Sequence, residues 1–172
     1  MIYSQGKMNI CFGTAAANII ERVTSKAPRL HDIKNFYREA GFDMTKGVST
    51  PRTFFNKWLE TPLAGVKLKS YEPLWMLIGF KYRLSPRSLL KRLKSGNFIV
   101  TVRTPIKLDE NGYMLPPEDK RGPMHMVCVD HVDGEDIVLE NSYGPDWGKG
   151  GYFKVKVNDV MKCFIDIWSI SL

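Results

Sequence analysis

Four residues could do chemistry together. Cys11 opens an Ala-rich run that extends from Phe12 to Val23, and Gln5 stands six positions ahead of it, followed directly by Gly6. His125 lies near the start of the segment MHMVCVDH, and Asn141 begins NSYGPDWGKGGYF. A lone cysteine at a helix start is more often a small buried hydrophobe than a nucleophile. A thiol at a helix N-terminus, however, feels the positive end of the helix dipole, which favours thiolate. To act, it needs a base, a group that orients the base, and donors for an oxyanion. His125 can supply the base and Asn141 the orienting amide, which is triad logic in its Cys-His-Asn form. The Gln5 side-chain amide can converge with the Cys11 backbone N–H as a pair of oxyanion donors.

These residues need elements to hold them. The run from Cys11 to Arg22 predicts a helix, and Asp32 to Ala40 a second, stopped by Gly41. Thr50-Pro51 supplies a cap and a first-turn proline for a third helix that carries Phe54, Phe55, Trp58 and Leu59 toward a core. Leu74 to Tyr82 predicts a strand, Ser85-Pro86 opens a fourth helix, and Gly96 closes it before a strand at Phe98 to Val102. Lys107 to Gly122, punctuated by Gly112, Pro116 and Pro117, reads as a long surface loop. Met124 to Val132 and Asp136 to Glu140 flank Asp133-Gly134, the strongest hairpin signal in the chain. Tyr152 to Val157 and Phe164 to Ile170 complete a sheet. Helices first and strands after predict an α+β protein of two lobes with a cleft between them. The hairpin can set His125 and Asn141 side by side.

Composition allows this. At 172 residues with 44% hydrophobic and 25% charged residues, the chain can bury a core without staples. No apolar stretch reaches the roughly 18 residues of a membrane span, and no signal pattern opens the sequence. Three widely spaced cysteines, Cys11, Cys128 and Cys163, do not form a disulfide framework and suit a reducing compartment. The net charge of +7 has one local concentration, Lys81, Arg83, Arg87, Lys91, Arg92 and Lys94. Arg87, Lys91 and Lys94 share a helical face opposite Leu89, Leu90 and Leu93, the pattern of a solvated surface helix. His131, Cys128 and Asp130 are close in sequence, but strand alternation puts Cys128 on the opposite face from His131 and argues against a metal site. His31 reads as a surface residue, Cys163 as core, and Trp58, Trp75 and Trp168 as core aromatics.

With these residues assembled, the chain resembles the papain-like cysteine proteases, the family of cathepsins and plant papain. Its pattern, roughly Gln-Gly-x-Cys-x-x-Cys-Trp, then a strand His, then Asn-Ser-Trp-Gly-x-x-Trp-Gly-x-x-Gly-Tyr, is matched by Gln5-Gly6, Cys11-Phe12, His125, and Asn141 through Tyr152. The match covers the first helix and about the last 50 residues. Phe12 and Tyr143 stand where the family has tryptophan, Met126 replaces a small residue after the histidine, and Met8 replaces a cysteine between glutamine and nucleophile.

The resemblance implies a single papain-like peptidase domain over residues 1–172, with a helical lobe at about 5–96 and an antiparallel β-barrel-like lobe at about 97–172. It implies Cys11 as nucleophile, His125 as base and acid, Asn141 as orienter and Gln5 as oxyanion donor. Tyr143 and Trp147 would shield the His-Asn pair, and Gly47, Met124 and Trp147 would bind substrate. Peptide or protein substrates and cystatin-like inhibitors follow as partners, with no cofactor, metal, nucleic acid or membrane. A cytoplasmic protein is expected from the sequence as it stands, or a vacuolar, lysosomal or extracellular one if the chain is part of a longer precursor. A peptide-binding relative without turnover, or a transpeptidase using the same residues, would carry the same motifs.

Overall fold

Local signals start and stop most of the elements. The computed structural model describes residues 8–76, 84–119 and 121–172. In order they form α1 (Cys11–Thr24), α2 (Leu30–Glu39), α3 (Pro51–Glu60), β1 (Ser70–Met76), α4 (Pro86–Leu93), β2 (Asn97–Arg103), β3 (Met124–Asp133), β4 (Asp136–Glu140), β5 (Tyr152–Lys156), a short 3-10 turn, α5 (Val160–Cys163) and β6 (Phe164–Ser171). The Thr50 hydroxyl accepts the Thr53 N–H at 3.2 Å, with Pro51 in the first turn of α3. Ser85 does the same for Ser88 ahead of Pro86 and α4. Gly134 takes a φ of +60° in the β3–β4 turn, a conformation that costs glycine least. Residues 77–82 of the expected Leu74 to Tyr82 strand lie outside the described residues, as do Lys81 and Arg83.

Among the described residues six antiparallel strands make one sheet in the order β1-β6-β2-β3-β4-β5. The sheet is open, with β1 and β5 at its edges, where the resemblance led to a barrel-like lobe. Helices on both faces bury the strands without closure. Ile99, Met126, Cys128, Trp168 and Ile170 join a core with α1, α2 and α3. On the opposite face Val100, Val102, Val127, Val129 and Ile167 join Leu89 and Leu93 of α4 and Val160 and Cys163 of α5. β1 and α4 therefore belong with the sheet, although they precede residue 97. Among the described residues no helix is long and apolar enough to cross a membrane.

The segment read as a surface loop is folded and tethered. Leu108 bridges Met114, the Met114 N–H donates to the Lys154 carbonyl at 2.8 Å, and the Tyr113 hydroxyl donates to Asp136 at 2.6 Å. The excursion from β2 to β3 is thus stitched to β4 and β5.

Gly13 decides how closely α1 seats on α2. A Cβ there would lie 2.6 Å from Ile33 Cγ2 and 2.8 Å from the Tyr37 ring, and both neighbours are fully buried. The same approach lets the Tyr37 hydroxyl accept the Gly13 N–H at 3.3 Å. Gly13→Ala overpacks this contact and is expected to lower stability by roughly 1–3 kcal/mol in urea unfolding. An unchanged midpoint would show that the two helices do not rely on this approach.

Candidate active site

Cys11 is the first residue of α1. Ile10 at the cap position offers no side-chain acceptor, so the first N–H groups of the helix remain directed at their surroundings. Burial pushes the Cys11 thiol up to about 11, while backbone N–H groups of Met126, Phe12 and Cys11 itself pull it down. Phe12, behind it, is buried against Phe54 with ring centroids 5.6 Å apart, which anchors the helix start.

Hairpin pairing brings the other two polar groups together. Val102 opposes His125 across β2 and β3, and Cys128 opposes Glu140 across β3 and β4. Asn141 follows Glu140 directly and falls within reach of His125. His125 Nε2 and Asn141 Oδ1 are 2.7 Å apart, and both side chains are buried. Asn141 Oδ1 also accepts the Ser142 N–H at 2.7 Å. An oxygen that takes two donors must be the carbonyl end of the amide, so Nε2 carries the proton and Nδ1 is the free, basic nitrogen. Burial holds His125 down at about 4, against the Asn141 bond, which raises it.

Cys11 and His125 line one cleft of about 310 Å³. Its other walls are Asn9 and Phe12 beside Cys11, Lys46, Gly47 and Val48, and Thr104, Pro123, Met124 and Tyr143. Gly47 has a φ of +76°, and a Cβ there would stand 3.0 Å from the Asn9 side chain. The Asn9 N–H donates to Met44 at 2.8 Å, which holds that turn against the approach to Cys11. Over the imidazole, Tyr143 stacks at 4.6 Å with the planes 24° apart. Trp147 meets the Tyr143 ring edge-on at 5.5 Å and Phe153 at 5.7 Å, which props the stack from behind.

The sequence-derived residues distribute as follows. Cys11, His125, Gly47 and Met124 line the cleft, and Asn141 sits behind His125. Trp147 is not among the cleft-lining residues and supports Tyr143 instead. Gln5 lies outside the described residues. Sequence reasoning missed Asn9, Val48, Thr104 and Pro123. Asn9, Val48 and Pro123 are near neighbours of residues already singled out, whereas Thr104 is brought beside Pro123 only through β2–β3 pairing, which no local signal carries. Among the described residues no group of three or more His, Cys, Asp or Glu could hold a metal ion, and all three cysteines are free.

This fold is that of the papain-like cysteine proteases. The chain is similar to a cysteine protease of Carica candamarcensis, CMS1MS2, solved in complex with E-64, with a TM-score of 0.68 and 14% identity over 99% of this chain and 92% of that one. It is also similar to digestive procathepsin L 3 of the Tenebrio molitor larval midgut, with a TM-score of 0.66 and 15% identity over 99% of this chain and 66% of that one. No family model matches the sequence, and no curated protein matches it.

Proposed function

We propose that the chain is a cysteine peptidase that cleaves peptide bonds through a thioester on Cys11. The observation that carries this reading is the 2.7 Å contact between His125 Nε2 and Asn141 Oδ1, which leaves Nδ1 as a base in the cleft that Cys11 also lines. Cys11 Sγ attacks the peptide carbonyl carbon as its proton passes to Nδ1. The oxyanion is held by the Cys11 N–H and, by the resemblance, the Gln5 amide. The C–N bond then breaks and the imidazolium gives its proton to the leaving amine. Water, deprotonated by the same nitrogen, attacks the thioester and returns the thiol. An amine that reached the thioester before water would give transpeptidation from the same site.

The pH profile tests this reading, because one proton must be shared between thiol and imidazole for the site to work. An imidazole already protonated cannot accept the thiol proton. Burial disfavours the imidazolium and holds His125 at about 4, so the acid limb should lie near pH 4, below the 6.5 of an exposed histidine. Burial of Cys11, at about 11, moves loss of the shared proton in the alkaline direction, so activity should persist through neutral pH. Glu140, beside Asn141, is also pushed up by burial, to about 7, and titrates inside this range. The profile is therefore measured on a peptidyl coumarin amide with both wild type and Glu140→Gln. An acid limb near 6.5 in both proteins would mean that the catalytic base is a solvated group other than His125.

A further inference from the structure

Thr104 belongs to two concavities. It lines the cleft that holds Cys11 and His125, and it lines a second pocket of about 110 Å³ with Pro105, Leu115, Pro116, Pro117 and Glu118. The second pocket is carried by the tethered excursion between β2 and β3. Its neck is clamped beside His125. The Thr104 N–H donates to the Pro123 carbonyl at 2.9 Å, Arg103 Nη1 donates to the Gly122 carbonyl at 2.8 Å, and a Cβ on Gly122 would lie 2.6 Å from the Thr104 carbonyl oxygen. The far limb is held as well, by the Leu115 N–H donating to the Lys107 carbonyl at 2.9 Å. Whatever occupies this pocket is thus kept at a set distance from the catalytic base.

We propose that this pocket is an extended subsite that takes an aliphatic side chain of the substrate polypeptide, outside the pair of residues that flank the scissile bond. The inference rests on reading the main cleft as a peptide site. The position of Thr104 supports it, since that residue is a wall of both the cleft and the pocket and sets them side by side. The chemistry of the floor supports it too. Leu115 is 43% exposed, a large apolar surface, and Pro105, Pro116 and Pro117 line the pocket with it. Two carboxylates, Glu118 and Asp119, also line the pocket; Glu118 is matched by Lys107 at 2.8 Å and Asp119 Oδ1 accepts the Arg121 N–H at 2.7 Å, so both are already engaged. The volume is somewhat below the ~150 Å³ that accommodates a benzene ring, which suits one leucine-sized group.

The test compares long and short substrates in wild type, Leu115→Asp and Leu115→Met. With a library of internally quenched decapeptides, wild type should prefer Leu, Ile, Val or Met at one position away from the scissile pair. Leu115→Asp should remove that preference through a KM about tenfold or more higher, and Leu115→Met should keep it. A single-residue aminoacyl coumarin amide, which offers no side chain beyond the scissile pair, should be turned over equally by all three, and Cys11 alkylation by iodoacetamide should be unchanged. If wild type cleaves nothing, the peptidase reading fails. The pocket is then judged by fluorescence anisotropy of the same decapeptides on Cys11→Ala, where adding Leu115→Asp should weaken binding of the aliphatic peptides about tenfold. An unchanged library profile, an equal loss on the short substrate, a preference for Lys or Arg at that position, or unchanged anisotropy would overturn the proposal.

Discussion

Cys11→Ala and His125→Ala should each reduce hydrolysis of a peptide amide by roughly four orders of magnitude or more, with folding retained. In the proposed mechanism Cys11 and His125 act as one unit, so removing either leaves the other without a task. Among the described residues no other cysteine or histidine is placed to substitute. The other two cysteines, Cys128 and Cys163, are buried, and neither lines the cleft. His131 sits farther along β3, paired with Asp130 at 2.7 Å, and His31 lies on α2 with Asn35. Far-UV circular dichroism that matches wild type would separate lost chemistry from lost structure. Residual activity within about tenfold of wild type in either variant would remove that residue from the mechanism.

The second large effect is expected at Asn141. Asn141→Ala deletes the acceptor for Nε2–H, and that hydrogen bond is the interaction that raises the His125 pKa against burial. Without it the imidazolium is less stable and the ring is free to turn. Both consequences hinder transfer of the thiol proton. Turnover should fall roughly 10- to 100-fold, the range seen when a supporting partner of a reactive side chain is lost. The acid limb should also move to lower pH, because the protonated ring has lost its stabilising contact. Stopped-flow alkylation of Cys11 at pH 7 should slow in parallel with turnover. An acid limb that moves upward would mean that Asn141 disfavours the charged ring, and the assigned role would be wrong.

Legibility in the sequence followed the range over which each signal acts. Thr50-Pro51, Ser85-Pro86 and Asp133-Gly134 are local, and the elements they bound appear where expected. The placement of His125 beside Asn141 was legible because one hairpin relates them, and that of Cys11 because a helix starts on it. The excursion between β2 and β3 was not. Its order depends on bonds such as Met114 to Lys154, which link residues far apart in the chain and leave no periodicity behind. The open sheet was equally hidden, since strand count does not decide whether edges meet. Trp147, expected both to shield the His-Asn pair and to bind substrate, packs on Tyr143. A motif identifies an aromatic near the site, whereas whether it faces substrate or buttresses Tyr143 depends on ring packing.

The central claim is that Cys11 is a nucleophile activated by His125, and covalent labelling measures this most directly. An epoxysuccinyl peptide of the E-64 type, incubated with the protein at pH 6 and mapped by mass spectrometry after digestion, should form one adduct, on Cys11. His125→Ala should abolish that adduct, and Leu115→Asp should leave it in place. An unmodified Cys11 in the wild-type protein, or an adduct that forms equally well without His125, would contradict the account.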